Sequence, residues 1–125
     1  MKLAINDLIK FKPLYEKIKV QTLPIAITYK LTKFFKLLDP EMDFYAQELK
    51  KLLEKYAERD DTGALVRDGE NIRLKPSTLN EFNVAFQRLS DLEVDAPDIT
   101  FSIEELSDLH ITVEDFNAFL PFIKE

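Results

Sequence analysis

The chain has 125 residues, 46% of them hydrophobic and 32% charged, which fits one globular domain over residues 1–125 and excludes a disordered chain. The absence of cysteine excludes disulfide scaffolds, zinc–thiolate sites and thiol catalysis, and two glycines are too few for a turn-rich β-sandwich or barrel. The formal net charge of −6 hides an asymmetry along the chain.

This asymmetry divides the chain near residue 36. Residues 1–36 contain eight lysines and two acids, a balance of +6, whereas residues 37–125 contain nine basic and 21 acidic side chains, a balance of −12. Residues 91–125 are the extreme, with ten acids and Lys124 as the single base. We favour the interpretation that the two regions dock on one another or are simply solvated. The alternative is a dipolar surface that meets charged partners.

The first elements in chain order are a short strand and a helix. Residues 2–5 favour a strand, and Asn6 or Asp7 offers an N-cap for a helix that reaches about Ile18. Pro13 bends or divides that helix, because proline removes a backbone donor. Pro24 then opens the next helix as its first residue.

The strongest periodicity follows Pro24, where apolar residues repeat with alternating spacings of four and three, as in a coiled-coil seam. Pro40 interrupts this stretch without changing its phase, which favours one helix kinked at Pro40 over two antiparallel helices. A helix over residues 24–58 would be about 50 Å long and would overhang a domain of this size. The seam is then either intramolecular core or an interface with a protein partner or a second copy. Its residues are Leu31, Phe35, Leu38, Met42, Tyr45, Leu49, Leu52 and Tyr56.

A hairpin and a helix follow the long helix. Residues 64–67 and 72–75 flank an Asp-Gly pair at residues 68–69, which is a good hairpin signal. Pro76 opens a helix over about residues 76–90.

The last third predicts short strands and two further helices. Residues 92–94 and 99–102 favour strands, and Ser102 with Glu105 forms a capping box for a one-turn helix. Thr112 caps a last helix. The predicted fold class is therefore α+β and predominantly helical, with one long helix, shorter helices and a small antiparallel β-hairpin.

Three motifs suggest chemistry, and we interpret each as structural. The run Asp61-Thr62-Gly63-Ala64 matches the catalytic loop of aspartic proteases, but an amphipathic helix precedes it where that chemistry needs an apolar strand. The acids at residues 91, 93 and 95 are spaced like calcium ligands, but the required Gly is Ala96 and position twelve is Ser102. His110 is the only histidine, so no second imidazole or thiol completes a zinc site. We therefore predict no catalytic residues, no metal, no cofactor and no small-molecule substrate.

Several stretches of the chain carry a resemblance, namely residues 8–14, Tyr29-Lys30-Leu31, Phe44-Tyr45, residues 101–106, Leu109, Thr112 and residues 120–123. In these stretches, and in its layout over nearly the whole chain, the sequence resembles a family of small uncharacterised proteins encoded by phages and prophages of Gram-positive bacteria. The resemblance implies a phage origin, and it carries no activity and no functional residues.

Three functions remain open. The first is a non-enzymatic protein-interaction module, an accessory or assembly factor that acts through the seam. The second is an inhibitor of a host nucleic-acid enzyme, whose basic cleft the acidic C-terminal third would occupy. The third is nucleic-acid binding by the N-terminal lysines, which we disfavour because this region has no Arg. We expect a cytoplasmic protein, since no apolar run is long enough to span a membrane.

Overall fold

The computed structural model describes residues 1–124 and confirms an α+β fold that is predominantly helical. Short 3₁₀ turns cover Pro76–Thr78 and Leu120–Phe122. The helices and strands, in chain order, are β1 (Lys2–Ala4), α1 (Ile5–Ile9), α2 (Phe11–Ile18), α3 (Ile25–Tyr56), β2 (Arg67–Asp68), β3 (Asn71–Ile72), α4 (Leu79–Ser90), β4 (Glu93–Asp95), α5 (Ile103–Leu106) and α6 (Val113–Phe119).

The predicted first helix is two helices that meet at Lys10. Pro13 lies in the first turn of α2, where a backbone N–H has no partner within the helix, so proline is tolerated there and divides the segment. The expectation that Asn6 or Asp7 caps the first helix is wrong, because Ala4 occupies the N-cap position and makes no side-chain hydrogen bond. The strand β1 runs directly into α1 and leaves no room for a polar cap.

The long helix α3 is a single helix of 32 residues with Pro40 inside it, as the unbroken heptad phase predicted. Pro24 is its N-cap, one position earlier than expected, and its carbonyl accepts the N–H of Thr28 at 3.0 Å. Pro40 has no N–H to donate to the preceding turn, which costs roughly 3 kcal/mol in a helix interior. Burial of the side chains on either side of Pro40 must offset this cost.

The main core is built around phenylalanines from both ends of the chain. Phe11 of α2 packs edge-to-face against Phe34 of α3 with ring centroids 5.1 Å apart, and Phe34 packs against Phe101 at 5.3 Å. Phe119 and Phe122 complete the cluster, and all five are at most 1% exposed. The first and last thirds of the chain are therefore both packed onto the N-terminal half of α3.

The C-terminal half of α3 extends past this core but is not bare, which corrects the expectation of an overhanging helix. The segment after α3 pairs with residues 64–66 and 73–75 in a small ribbon, with Ala57 bridged to Leu74. Helix α4 then packs along α3, and the ring of Phe82 lies 6.0 Å from that of Tyr56. A second, thinner packing region thus covers this half of α3.

The two small sheets are antiparallel. Strand β1 pairs with β4, so that Leu3 lies opposite Val94, and this joins the N-terminus to the acidic last third. Strands β2 and β3 form the predicted hairpin, with Gly69 at φ 67° in its two-residue turn. The positive φ explains why glycine follows Asp68.

Leu38 and its neighbour Leu37 give a matched test of this packing. Leu38 is fully buried, whereas Leu37 is 49% exposed on the same helix. We expect Leu38→Ala to lower the free energy of unfolding by roughly 2–5 kcal/mol through the cavity it leaves. Leu37→Ala should change it by about 0.5 kcal/mol or less, since little packing is lost. Urea denaturation of both variants measures the difference, and equal losses would contradict this placement of α3.

Candidate interaction surface

The eight seam residues lie along one side of α3, and none of them is exposed. Leu31, Phe35 and Leu38 are at most 5% exposed and belong to the core. Met42 and Tyr45 are partly buried against that core. Leu49, Leu52 and Tyr56 are half-buried further along α3, on the half that α4 and the ribbon cover. In this conformation the seam packs within the chain, and its first three residues would have to leave the core to reach a partner.

Two of the motifs that suggested chemistry lie in a turn and in a strand. Asp60, next to the protease-like run, accepts hydrogen bonds from Thr62 and from the N–H of Ala64 in the turn after α3. Glu93 and Asp95 lie in strand β4. No three metal-ligating side chains among residues 1–124 lie close enough together to hold a metal ion. Within the same residues, no helix is long and apolar enough to cross a membrane.

Ion pairs within the fold neutralise part of the charge asymmetry. Lys2, Lys17 and Lys30 each form an ion pair with an acid of the last third, at N–O distances of 2.8–2.9 Å. Lys10 and Lys19 pair locally with acids on their own helices. Five of the eight N-terminal lysines are therefore paired, so the favoured interpretation of docked regions is supported by direct contacts.

The last third repeats one short motif at its two helix starts. Ser102-Ile103-Glu104-Glu105 opens α5, and Thr112-Val113-Glu114-Asp115 opens α6. Each begins with a hydroxyl residue that accepts the N–H three residues later, while the fourth residue accepts a hydrogen bond from the hydroxyl residue's N–H. Both are complete capping boxes, as the sequence predicted for the first of them.

The last residue of each motif also anchors its helix to the body of the protein. Glu105 accepts two hydrogen bonds from Lys30 of α3, at 2.9 and 3.0 Å. Asp115 accepts one from Lys17 of α2 at 2.8 Å. Between the two helices, the side chain of Gln21 both accepts from the N–H and donates to the carbonyl of His110. The two helices are thus held in fixed positions by polar contacts.

The second residue of each motif is apolar and faces solvent. Ile103 is 64% exposed and Val113 is 82% exposed. Both lie at the rim of a shallow groove of about 300 Å³ between α5 and α6, whose floor includes Leu106 and Leu109. Burying two such side chains against a partner would contribute roughly 1.5–3 kcal/mol each at most. We call this surface the α5–α6 groove; its lining residues are Ile103, Leu106, Ser107, Leu109, Ile111, Thr112, Val113 and Phe116.

The third residue of each motif supplies an acid beside the groove. Glu104 and Glu114 are exposed, and neither forms an ion pair within residues 1–124. Asp108, in the connection between the two helices, is also exposed and unpaired within the described chain. These three acids do not line the groove, but each is next in sequence to a residue that does, so the apolar groove has exposed acids beside it.

A second cleft, of about 370 Å³, lies between α2 and α3. Its floor is apolar and includes Leu31 and Phe35, and its charged lining residues are Lys36, Asp39 and Lys19, the last of which is paired with Glu16. Its Thr32 hydroxyl already donates to the carbonyl of Thr28. Because charges of both signs lie on this cleft, it favours no particular charge on a ligand.

Sequence reasoning missed Ile103 and Val113, since it treated both motifs only as helix starts. A signal was present in the repeated order of hydroxyl, β-branched, Glu and acid. The heptad seam, by contrast, attracted attention because periodicity reports burial more directly than it reports exposure.

No protein-family model, no curated protein and no solved structure matches this chain.

The anchoring acids predict a pH dependence of stability. The hydrogen bonds from Lys30 and from the Ser102 N–H hold the pKa of Glu105 below its ordinary value of 4.5. Lys17 and Thr112 likewise hold the pKa of Asp115 below 3.8. A carboxyl with a lowered folded-state pKa stabilises the fold fully above its unfolded pKa, and this contribution is lost as the pH falls through the folded pKa.

We expect Glu105→Gln to be less stable than the parent chain above about pH 4.5, because glutamine preserves the capping box but not the charge. The difference should shrink as the pH falls through the lowered pKa of Glu105, where the parent carboxyl is also protonated. Urea denaturation at a series of pH values measures both. Glu104→Gln, which removes a neighbouring unpaired charge, is the control and should change stability much less. A Glu105→Gln deficit that persists at low pH would show that the charge is not its cause.

Proposed function

We propose that the chain is a non-enzymatic protein-interaction module that binds a cationic, amphipathic segment of a partner protein in the α5–α6 groove. The observation that carries this proposal is the exposure of Ile103 and Val113 beside unpaired acids on helices that polar contacts hold rigid. A surface that is ordered before binding loses less conformational entropy when a partner docks. We include in this proposal an accessory or assembly role, in a host cytoplasm if the chain has the phage origin that the resemblance implies.

Charge complementarity selects the chemistry of the partner. The nine acids of residues 91–124 include three that pair with N-terminal lysines, which leaves six without an ion pair in the described chain. Lysine or arginine on the partner would meet Glu104, Asp108 and Glu114, while apolar side chains on its other face would cover the groove floor. Such rim charges act mainly on the rate of association and on specificity.

An inhibitor of a host nucleic-acid enzyme is the second candidate, because it would use the same acidic surface. A cleft built to bind phosphate is basic, and carboxylates displayed on a rigid frame can occupy it. Direct nucleic-acid binding has less support. Of the eight N-terminal lysines, only Lys12, Lys33 and Lys36 form no ion pair within residues 1–124, and phosphate contacts need clustered free bases.

A synthetic helical peptide with lysine on one face and leucine on the other tests the groove directly. We expect its titration into ¹⁵N-labelled protein to shift the amide signals of residues 103–116 first. The double variant Glu104→Gln/Glu114→Gln should weaken binding roughly tenfold, which corresponds to about 1.4 kcal/mol shared between two rim charges. Raising the salt concentration should weaken it in the parent chain and less so in the variant.

Asp43→Asn/Glu54→Gln is the matched control, since it removes two exposed acids of α3 that form no ion pair within residues 1–124. It has the same net charge as Glu104→Gln/Glu114→Gln. It should bind the peptide like the parent chain. Ile103→Ser/Val113→Ser should abolish binding while hardly changing thermal stability. If both charge variants weakened peptide binding equally, the effect would come from net charge alone, and a specific binding groove would be refuted. A gel shift of DNA or RNA at low salt would instead favour the N-terminal lysines.

A further inference from the structure

An exposed strip of mixed apolar and basic residues follows the outer face of α3. Ile25, Tyr29, Lys33 and Leu37 recur at intervals of four, which places them along one side of the helix over roughly 18 Å. Ile25 is 83% exposed, Tyr29 69% and Leu37 49%. We call these four residues the α3 strip. Its charge and polarity are those that the α5–α6 groove selects for in a partner.

An ion pair joins the helix that carries the strip to one of the helices that form the groove. Lys30 of α3, one turn from Lys33, pairs with Glu105 of α5 at 2.9 Å. Glu104 and Ile103 precede Glu105 on α5, and Ile103 lines the groove. The basic, apolar strip and the apolar groove with its adjacent acids are thus carried by directly connected helices.

The two surfaces are complementary in charge and polarity, since the strip carries Lys33 between apolar side chains and Glu104 lies next to the apolar Ile103. In a two-fold dimer the strip of one copy would lie on the groove of the other, and the reverse contact would form at the same time. Two-fold dimers with the same patch on both subunits are the commonest closed assembly. Lys33 of each copy would then meet Glu104 of the other.

We propose that the occupant of the α5–α6 groove is a second copy of this chain, in a two-fold dimer that pairs the α3 strip of each copy with the groove of the other. This inference rests on the proposed function, because it names the partner of the same groove. It differs from an interface at the heptad seam, whose residues are buried or half-buried within one chain.

Reversing the charge of Lys33 or of Glu104 tests the contact between these residues in the proposed dimer. Both side chains are exposed and unpaired in residues 1–124, so neither Lys33→Glu nor Glu104→Lys should change the melting temperature appreciably. Sedimentation equilibrium should show the parent chain of 14.6 kDa reaching twice that mass at high micromolar concentration. Either exchange alone should weaken dimerisation at least tenfold, because each places two like-charge pairs across the interface.

Mixing the two variants in equal amounts should restore the dimer. One contact of the mixed dimer keeps Lys33 against Glu104, and the other pairs the new carboxylate at position 33 with the new ammonium group at position 104. The chain that carries both exchanges should dimerise as well, since its two contacts are both of this second, reversed kind.

Lys12→Glu, a reversal at an unpaired lysine outside the strip, is the control and should dimerise like the parent. A parent chain that is monomeric near millimolar concentration overturns the proposal. So does a mixture of the two variants that stays monomeric, or a mass that rises beyond the dimer with concentration.

The lysine–leucine peptide separates this inference from the proposed function. Its titration into Lys33→Glu, a monomer with a free groove, measures groove binding without dimerisation. Peptide binding combined with a monomeric parent chain refutes the second copy and leaves the proposed function standing. Absence of peptide binding to Lys33→Glu refutes the proposed function itself, together with the dimer inferred from it.

Discussion

The cluster of five buried phenylalanines is the interaction on which the rest of the structure depends. The ring of Phe34 lies near all four of the others, at centroid distances of 4.9 to 6.4 Å. These are Phe11 of α2 and, from the last third of the chain, Phe101, Phe119 and Phe122. Because the chain contains no cysteine, no disulfide can join its two ends, and this apolar cluster packs both of them onto α3. Edge-to-face pairs add roughly 0.5–1.5 kcal/mol each beyond area burial. The ion pairs at Lys17 and Lys30 then fix which faces of α5 and α6 point outward.

The proposed function follows from how the last third divides its acids. In each of the two helix-start motifs, one acid turns inward to cap the helix and meet a lysine, while the preceding glutamate stays in solvent. The inward acid is a structural residue, and the outward one is free to contact a partner. Composition alone records only an acidic region, because it does not distinguish these two roles.

Much of the fold could be predicted from sequence, and the limits have physical reasons. The seam from Leu31 to Tyr56 predicted one helix through Pro40, since apolar periodicity reports which face is buried. It did not report that the main core covers the first half and α4 the second, because coverage depends on contacts far along the chain. The cap expected at Asn6 or Asp7 failed because β1 leads directly into α1. The sequence could not show which N-terminal lysines form no ion pair within residues 1–124, because their partners lie far along the chain or depend on side-chain geometry.

Net charge and local charge act on association at different ranges. Two copies at −6 each repel as whole molecules, and salt screens this repulsion beyond a Debye length of about 8 Å at physiological ionic strength. Charges that meet across a contact, such as Lys33 against Glu104, act within that distance and are screened less. In the proposed dimer, the overall repulsion would oppose most orientations of two copies, and the local pattern would favour the one in which Lys33 meets Glu104. An exposed apolar side chain such as Ile103 or Val113 does not by itself select one partner, whereas an exposed acid beside it favours a surface of opposite charge.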